Sequence, residues 1–252
     1  MEFIVAGDFH TDALALKYVV DQYGSNPAYQ IILLGDFFDS FTHQGDVNQM
    51  AATLSELGRQ PLPNLQLVIG NHDDYFIHVI KRDDFYLQSW LAVGGQYTLR
   101  QLGYQQSVHQ VSNVAAFLEY LYPDLLQFLA SGVYIYDTPN LLAVHAGLDW
   151  SLSDPLQTDP DYATWVRDEY FYESNHFAHP NTLGKTIVSG HTPVQTLTNQ
   201  WSADPVFLVN NNIQGDIPRW LIDGGSNSGA PSGRVNIVHF SETGQFIRTE
   251  FI

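Results

Sequence analysis

The sequence predicts an α/β protein built on a largely parallel sheet, and two observations carry that prediction. Five short apolar runs end in glycine followed by polar residues: "FIVAGDFH" from Phe3, "IILLGDFFD" from Ile31, "LQLVIGNHDD" from Leu65, "LLAVHAGLDW" from Leu141 and "TIVSGHTP" from Thr186. Helical patterns separate the first three. Short β-branched runs without polar alternation suit strands buried on both faces, and strand–helix–strand order implies right-handed crossovers.

Taken in order, the first strand runs from Phe3 into Gly7. "TDALALKYVVDQYG" follows with helical spacing, Asp12 near its start and Gly24 as its stop. The second strand, from Ile31, leads to "DVNQMAATLSELG", a helix stopped by Gly58. The third, from Leu65, delivers Asn71, His72 and Asp73. Between Asp74 and Gly132, "DDFYLQSWLAV" and "NVAAFLEYLYPDLLQFLA" read as helices with no glycine-ended strand. We take 74–132 as a helical insertion or cap within one domain spanning 1–252. After the strands at Leu141 and Thr186, "PVFLVNN", "RWLIDGG" and "RVNIVHFSETGQFIRTEFI" read as antiparallel strands, the last turning at "SETG".

Composition narrows the function. The 252 residues can bury a full core, and 44% apolar against 15% charged residues marks a globular chain. A net charge of −17 repels phosphate backbones and anionic lipid, which argues against stable nucleic-acid binding and against a membrane partner. There is no cysteine, so thiolate metal sites and disulfides are excluded. "MEFIVAGDFH" has no basic n-region or cleavage site, and no apolar run approaches a membrane span, so a cytoplasmic location is expected.

Each glycine-ended strand delivers polar side chains at its C-terminal end, where open α/β sheets bind ligands. The set is Asp8 and His10, Asp36 and Asp39, Asn71 and His72, His145, and His191. Singly, each has a bland reading: "GNHD" and "GHTP" could be turns, and His145 could be a satisfied core histidine. In series, at successive strand ends, they point to a metal site. Carboxylates, imidazoles and an amide suit Mn, Fe or Zn. Asp8 and His10 stand two apart, so an extended segment would point both the same way.

The series "GDFH", "GDFFD", "GNHD", "VHAG", "GHTP" resembles the calcineurin-like metallophosphoesterases. Within them it is similar to the bacterial phosphoprotein phosphatases, which include the symmetrical diadenosine tetraphosphatases. "TWVRDEYF", Thr164 to Phe171, resembles a Trp-x-Arg-Asp/Glu-Glu segment of those bacterial proteins. The resemblance implies a four-layer α/β/β/α sandwich with mixed sheets and a two-metal centre at one edge. One divalent ion, Mn first and Fe or Zn otherwise, would sit on Asp8, His10 and Asp36. The other would sit on Asp36, Asn71, His145 and His191, with Asp36 shared.

His72 would donate a proton to the leaving group, oriented by Asp39. Arg167, with Asn71, would contact the substrate phosphate; the alternative for Arg167 is an ion pair with Asp168 or Glu169. The chemistry agrees with these roles. Two divalent ions on two carboxylates leave a local excess of about +2, which can hold a phosphate dianion and activate a water as hydroxide.

The sequence also departs from the family. Asp39 is followed by Ser40 where phosphoprotein phosphatases of this type carry arginine on phosphate, and Thr11 replaces a glycine after the first histidine. Arg59, Lys81 or Arg82 are candidate substitutes. The expected function is a metal-dependent phosphomonoesterase, as a serine/threonine protein phosphatase among others. The alternative is a phosphodiesterase or dinucleoside polyphosphate hydrolase, and a metal-bound binding protein without catalysis is a third reading. His176 and His179 read as loop residues. His43, His78, His109 and His239 belong to no motif.

Overall fold

A computed structural model describes residues 1–40, 42–167, 179–198, 200–210, 212–226 and 231–252. His176, Asp168 and Glu169 lie outside the described residues. The chain begins as expected: β1 (Glu2–Gly7), α1 (Ala13–Tyr23), β2 (Tyr29–Leu33), α2 (Val47–Arg59) and β3 (Leu65–Leu67). Asp12 caps α1, its carboxylate accepting from the Ala15 amide at 3.0 Å. β1 pairs parallel with β2, and β2 with β3, with α1 and α2 as the connecting helices.

Five helices follow: α3 (Asn71–Ile80), α4 (Asp84–Trp90), α5 (Gln96–Gln101), α6 (Val111–Leu121) and α7 (Pro123–Ala130). "NVAAFLEYLYPDLLQFLA" divides at Tyr122 because Pro123 cannot continue the ladder and instead opens α7. The remaining elements are β4 (Ile135–Asp137), β5 (Leu141–Val144), α8 (Pro160–Trp165), β6 (Thr186–Ser189), α9 (Val194–Thr198), β7 (Val206–Leu208), β8 (Arg219–Leu221), β9 (Asn236–Ser241) and β10 (Phe246–Phe251).

The strands form two mixed sheets, β10-β9-β1-β2-β3 and β4-β5-β6-β8-β7. "RWLIDGG" is more than the expected antiparallel strand: β8 pairs antiparallel with β7 and parallel with β6. Side-chain alternation sorts the layers. Phe3, Val5, Ile32, Leu34, Val238 and Phe240 face Leu141, Ala143, Val188 and Ile222 of the second sheet in a buried intersheet core. Ile4, Ala6, Ile31, Leu33 and Ile237 point the other way, under α1 to α7. Beyond the second sheet, Leu142, Val144 and Ile187 pack with Ala163 of α8, and Leu221 packs with Val194 of α9. Helices, sheet, sheet and helices make the four-layer α/β/β/α sandwich. The loops leaving β1, β2, β3, β5, β6 and β8 carry the site.

Candidate metal centre

Asp36 lies at the middle of the site. Its Oδ1 accepts the His72 amide at 2.9 Å, while Oδ2 lies 3.4 Å from His145 Nε2 and 3.7 Å from His10 Nε2. Among the described residues, ligand-capable atoms form two groups lying within 4.8 Å of one another: His10, Asp36 and His72, and Asp36, His145 and His191. Asp36 belongs to both. Asn71 joins the second, its Oδ1 3.1 Å from His145 Nε2.

Asp8 is buried beside these groups but belongs to neither. The segment that carries Asp8 and His10 is not extended. β1 ends at Gly7, and Asp8, His10 and Thr11 all take left-handed φ values of 57°, 40° and 73°. The backbone coils there, so the alternation of an extended segment does not govern the two side chains. Asp8 Oδ1 instead accepts the His191 amide at 2.8 Å, across to the second sheet. Asp36, Asp39 and His191 are left-handed too, at 53°, 66° and 64°. Six such non-glycine residues at one site are backbone strain concentrated where function needs it.

Two glycines permit the close approach. Gly35 has φ +78°, and a Cβ there would strike Gly70 and Asp73. A Cβ on Gly190 would strike Asp8 Oδ2. Asp73 ties the β2 and β3 loops together, accepting from the amides of Asp36 (2.8 Å), Gly70 (3.0 Å) and Phe37 (3.2 Å).

The charges are crowded. Burial and then Asp223 push the Asp8 carboxyl well up. Burial and then Asp36 push Asp73 to about 7, and burial above all lifts Asp223 to about 6. Burial would raise Asp36 as well, but His145, His72 and His10 outweigh it and hold the carboxyl well below its usual range. Burial alone would lower His145; Asp36 outweighs it and lifts the imidazole to about 9. Burial lowers His10, and burial, His145 and Arg167 together hold His191 well below the usual histidine range, so both imidazoles are neutral lone-pair donors.

Asp8 Oδ2 and His191 Nε2 are buried with no hydrogen-bond partner among the described residues. Orphaned acceptors beside several buried carboxylates are costly in a protein interior. Bound cations are what such a nitrogen-and-oxygen donor set is suited to hold, so the residues fit a metal centre.

His72 and Asp39 form a dyad. His72 Nδ1 lies 2.8 Å from Asp39 Oδ2, and both side chains are buried. Burial would depress the His72 pKa, but Asp36 and the Asp39 hydrogen bond outweigh it and raise it. Trp90 Nε1 and Thr98 Oγ1 also donate to Asp39. Arg167 is exposed at the rim, donating to Thr192 Oγ1 at 3.2 Å, with Nη2 3.5 Å from His191 Nδ1.

A family model for calcineurin-like phosphoesterases matches residues 1–218. The chain belongs to the calcineurin-like phosphoesterase family. It is therefore a phosphoester hydrolase, a metallophosphoesterase, and its His/Asp groups are candidate metal ligands. No curated protein matches it. Among solved structures it is similar to a candidate diadenosine tetraphosphatase, at 16% identity and TM-score 0.56, covering 99% of this chain and 93% of that one. A protein serine/threonine phosphatase from Saccharomyces cerevisiae is similar at 14% identity and TM-score 0.51, covering 100% and 79%. A cold-active protein-tyrosine phosphatase of a Shewanella species is similar at 19% identity and TM-score 0.52, covering 99% and 80%. At these identities the likeness is one of fold.

The structure also places residues that the motifs do not name. Asp223, after β8, is buried against the charge of Asp8 and accepts the Gly225 amide at 2.7 Å. "RWLIDGG" ends an apolar run in acid and then glycine, the reverse of the glycine-then-polar order of most of the other strands, so a related signal for it was present. The candidate replacements for the missing arginine are elsewhere. Arg59 pairs with Glu56 and Asp124, and Arg82 pairs with Glu119. Lys81 caps the far end of α3, about 15 Å along the helix axis from Asn71. Ser40 is buried, its hydroxyl 3.0 Å from that of Thr42.

Proposed function

We propose that the chain hydrolyses phosphomonoesters by in-line attack of water at phosphorus. The observation that carries this reading is the buried His72–Asp39 dyad set against the two donor groups that share Asp36. Asp8, His10 and Asp36 would hold one divalent ion, and Asp36, Asn71, His145 and His191 the other, with Mn first and Fe or Zn as alternatives. Such a pair, when bound, activates water near neutral pH and stabilises charge on the phosphoryl oxygens.

The protein's own groups supply the rest. Asp39 fixes His72 Nδ1, leaving Nε2 for the leaving oxygen. Arg167, exposed at the rim beside Thr192 and His191, would place its guanidinium on the substrate phosphate. Asn71, beside the second donor group, would serve ion and substrate together. The partner is then a phosphorylated protein or small phosphoester, in the cytoplasm, with neither nucleic acid nor membrane bound stably.

A second reading is hydrolysis of a dinucleoside polyphosphate or phosphodiester. Ser40 favours it, because a neutral hydroxyl stands where an arginine would clamp a dianion. A cavity of about 360 Å³ also opens beside His10 and Ser40, lined further by Thr11, Gln44, Gln49 and Arg234. The similarity to a candidate diadenosine tetraphosphatase agrees with it. Retention of the dyad argues against a binding protein without catalysis.

A panel of Mn-loaded wild type and Ser40→Arg on phosphopeptides, aryl phosphates and diadenosine polyphosphate decides. Inorganic phosphate from monoesters supports the first reading, and nucleotide products from the dinucleotide support the second. No turnover on any ester across a broad pH range defeats both.

A further inference from the structure

Asp39 is fully buried and accepts from three side chains. His72 Nδ1 (2.8 Å) and Trp90 Nε1 (2.7 Å) lie on Oδ2, and Thr98 Oγ1 lies on Oδ1. Trp90 and Thr98 are buried and uncharged. They stand eight residues apart, one closing α4 and the other in α5. In an unbroken α-helix that spacing is about 12 Å along the axis, too far for both to reach one carboxylate.

The chain breaks the helix between them. Val93 (φ −113°, ψ 17°) and Gly94 (φ 120°, ψ −14°) leave helical geometry. Gly94 takes a φ that suits glycine, and a Cβ there would lie 3.1 Å from Asp39 Cβ. A Cβ on Gly95 would meet the Trp90 ring at 2.5 Å. Two adjacent glycines thus let one kinked segment fold both donors onto Asp39.

We infer that Trp90 and Thr98 are positioning residues for proton donation, and that the kinked α4–α5 segment serves to hold Asp39. The inference rests on His72 as the general acid. As the P–O bond breaks, its electron pair stays on the leaving oxygen, which takes the proton from His72 Nε2. The imidazole is left neutral with Nδ1–H still on Asp39. Trp90 and Thr98 fix the plane of that carboxylate, and so the direction of Nε2. Loss of either donor leaves a buried carboxylate oxygen short of a partner and free to swing. A misaligned acid matters most where the leaving oxygen needs a proton, and least where it departs as a stable anion.

The test uses the Mn-loaded full chain with aryl phosphates from 2,4-dinitrophenyl to phenyl, separating kcat from KM. For Thr98→Val, kcat should fall about tenfold or more on phenyl phosphate and less than about threefold on 2,4-dinitrophenyl phosphate, with KM and bound Mn held. Thr98→Ser, which keeps the hydroxyl, should restore the phenyl rate. Trp90→Phe should follow Thr98→Val, and the Thr98 pair decides even if that variant misfolds. An equal loss across the series, or loss of Mn, overturns the inference. His72→Ala run alongside separates the two levels. If it shows leaving-group dependence and Thr98→Val does not, only the positioning role falls; if it shows none, the general-acid assignment falls and takes the positioning role with it.

Discussion

The strand-end rim and the helical stretch from Asn71 to Ala130 meet at Asp39, and they contribute by opposite means. The rim supplies buried aspartates and histidines on short coiled loops, with left-handed backbone at Asp8, His10, Asp36, Asp39 and His191. The helical stretch supplies, at the same point, a buried indole and a buried hydroxyl. Groups that bind ions must be charged or carry lone pairs, so residue type gives them away. Groups that hold another side chain in place need only one well-directed hydrogen bond, and residues that also serve as core provide it.

The widest separation between these regions comes from removing the charge they both depend on. Asp36→Asn keeps an acceptor for the His72 amide but takes away the carboxylate common to both donor groups. Turnover is expected to fall roughly 10³-fold, by analogy with loss of a central electrostatic group. Bound metal, measured by elemental analysis, should fall with it. Full metal occupancy in this variant would mean that Asp36 is not shared.

Next in size, His72→Ala should leave metal content at the wild-type level while lowering kcat by about 10² or more on poor leaving groups. His72 lies within ligand distance of His10 and Asp36, so a structural alternative is on view. Equal loss of metal and rate would make His72 a ligand and move the acid elsewhere.

The pattern of what was legible follows the same division. Glycine-ended apolar runs located β1, β2, β3, β5 and β6 because strands buried on both faces leave no other pattern. The same rule located Asp8, His10, Asp36, Asn71, His145 and His191, since each follows such a run. The extended geometry expected at Asp8 and His10 fails because period-2 alternation was carried past Gly7, where the backbone turns left-handed. Trp90 and Thr98 were invisible: within "DDFYLQSWLAV" a tryptophan at helical spacing reads as core, which it also is. Their convergence depends on the break at Val93 and Gly94, and no periodicity announces where a kinked helix will point.

A third test asks how the rim's own charges respond to metal. Burial by itself would lower the His145 pKa, but Asp36 and then Asp8 lift it to about 9 in the metal-free protein. The imidazole is therefore protonated at neutral pH and must lose that proton to bind an ion. Affinity should rise with pH by about tenfold per unit until His145 deprotonates near 9, and metal uptake at pH 7 should release protons. Titration calorimetry in buffers of different ionisation enthalpy reads that release directly. The same linkage sets stability. Since the folded value exceeds the ordinary histidine value of about 6.5, the contribution of His145 to the metal-free fold is complete below that value and is lost as pH rises through about 9. Affinity flat between pH 6 and 9 would show that the charge around Asp36 is compensated in another way.

The smallest effect concerns Arg167, which belongs to neither region. It stands at the exposed rim after α8, held by a 3.2 Å hydrogen bond to Thr192 and a 3.5 Å approach to His191. A guanidinium pays little desolvation cost there, so its contact with phosphate is worth about one charge-assisted hydrogen bond. Arg167→Ala should raise KM for a monoester by about tenfold with kcat little changed, because an exposed clamp binds ground and transition states alike. Arg167→Lys should recover part of the loss, since a point charge replaces attraction but not the planar fork. The double variant with Ser40→Arg makes the comparison sharper. If Ser40→Arg rescues Arg167→Ala, the two positions serve one phosphate, and the absence of the usual arginine after Asp39 has its compensation at Arg167. If the rise in KM persists, the two positions recognise different parts of the substrate.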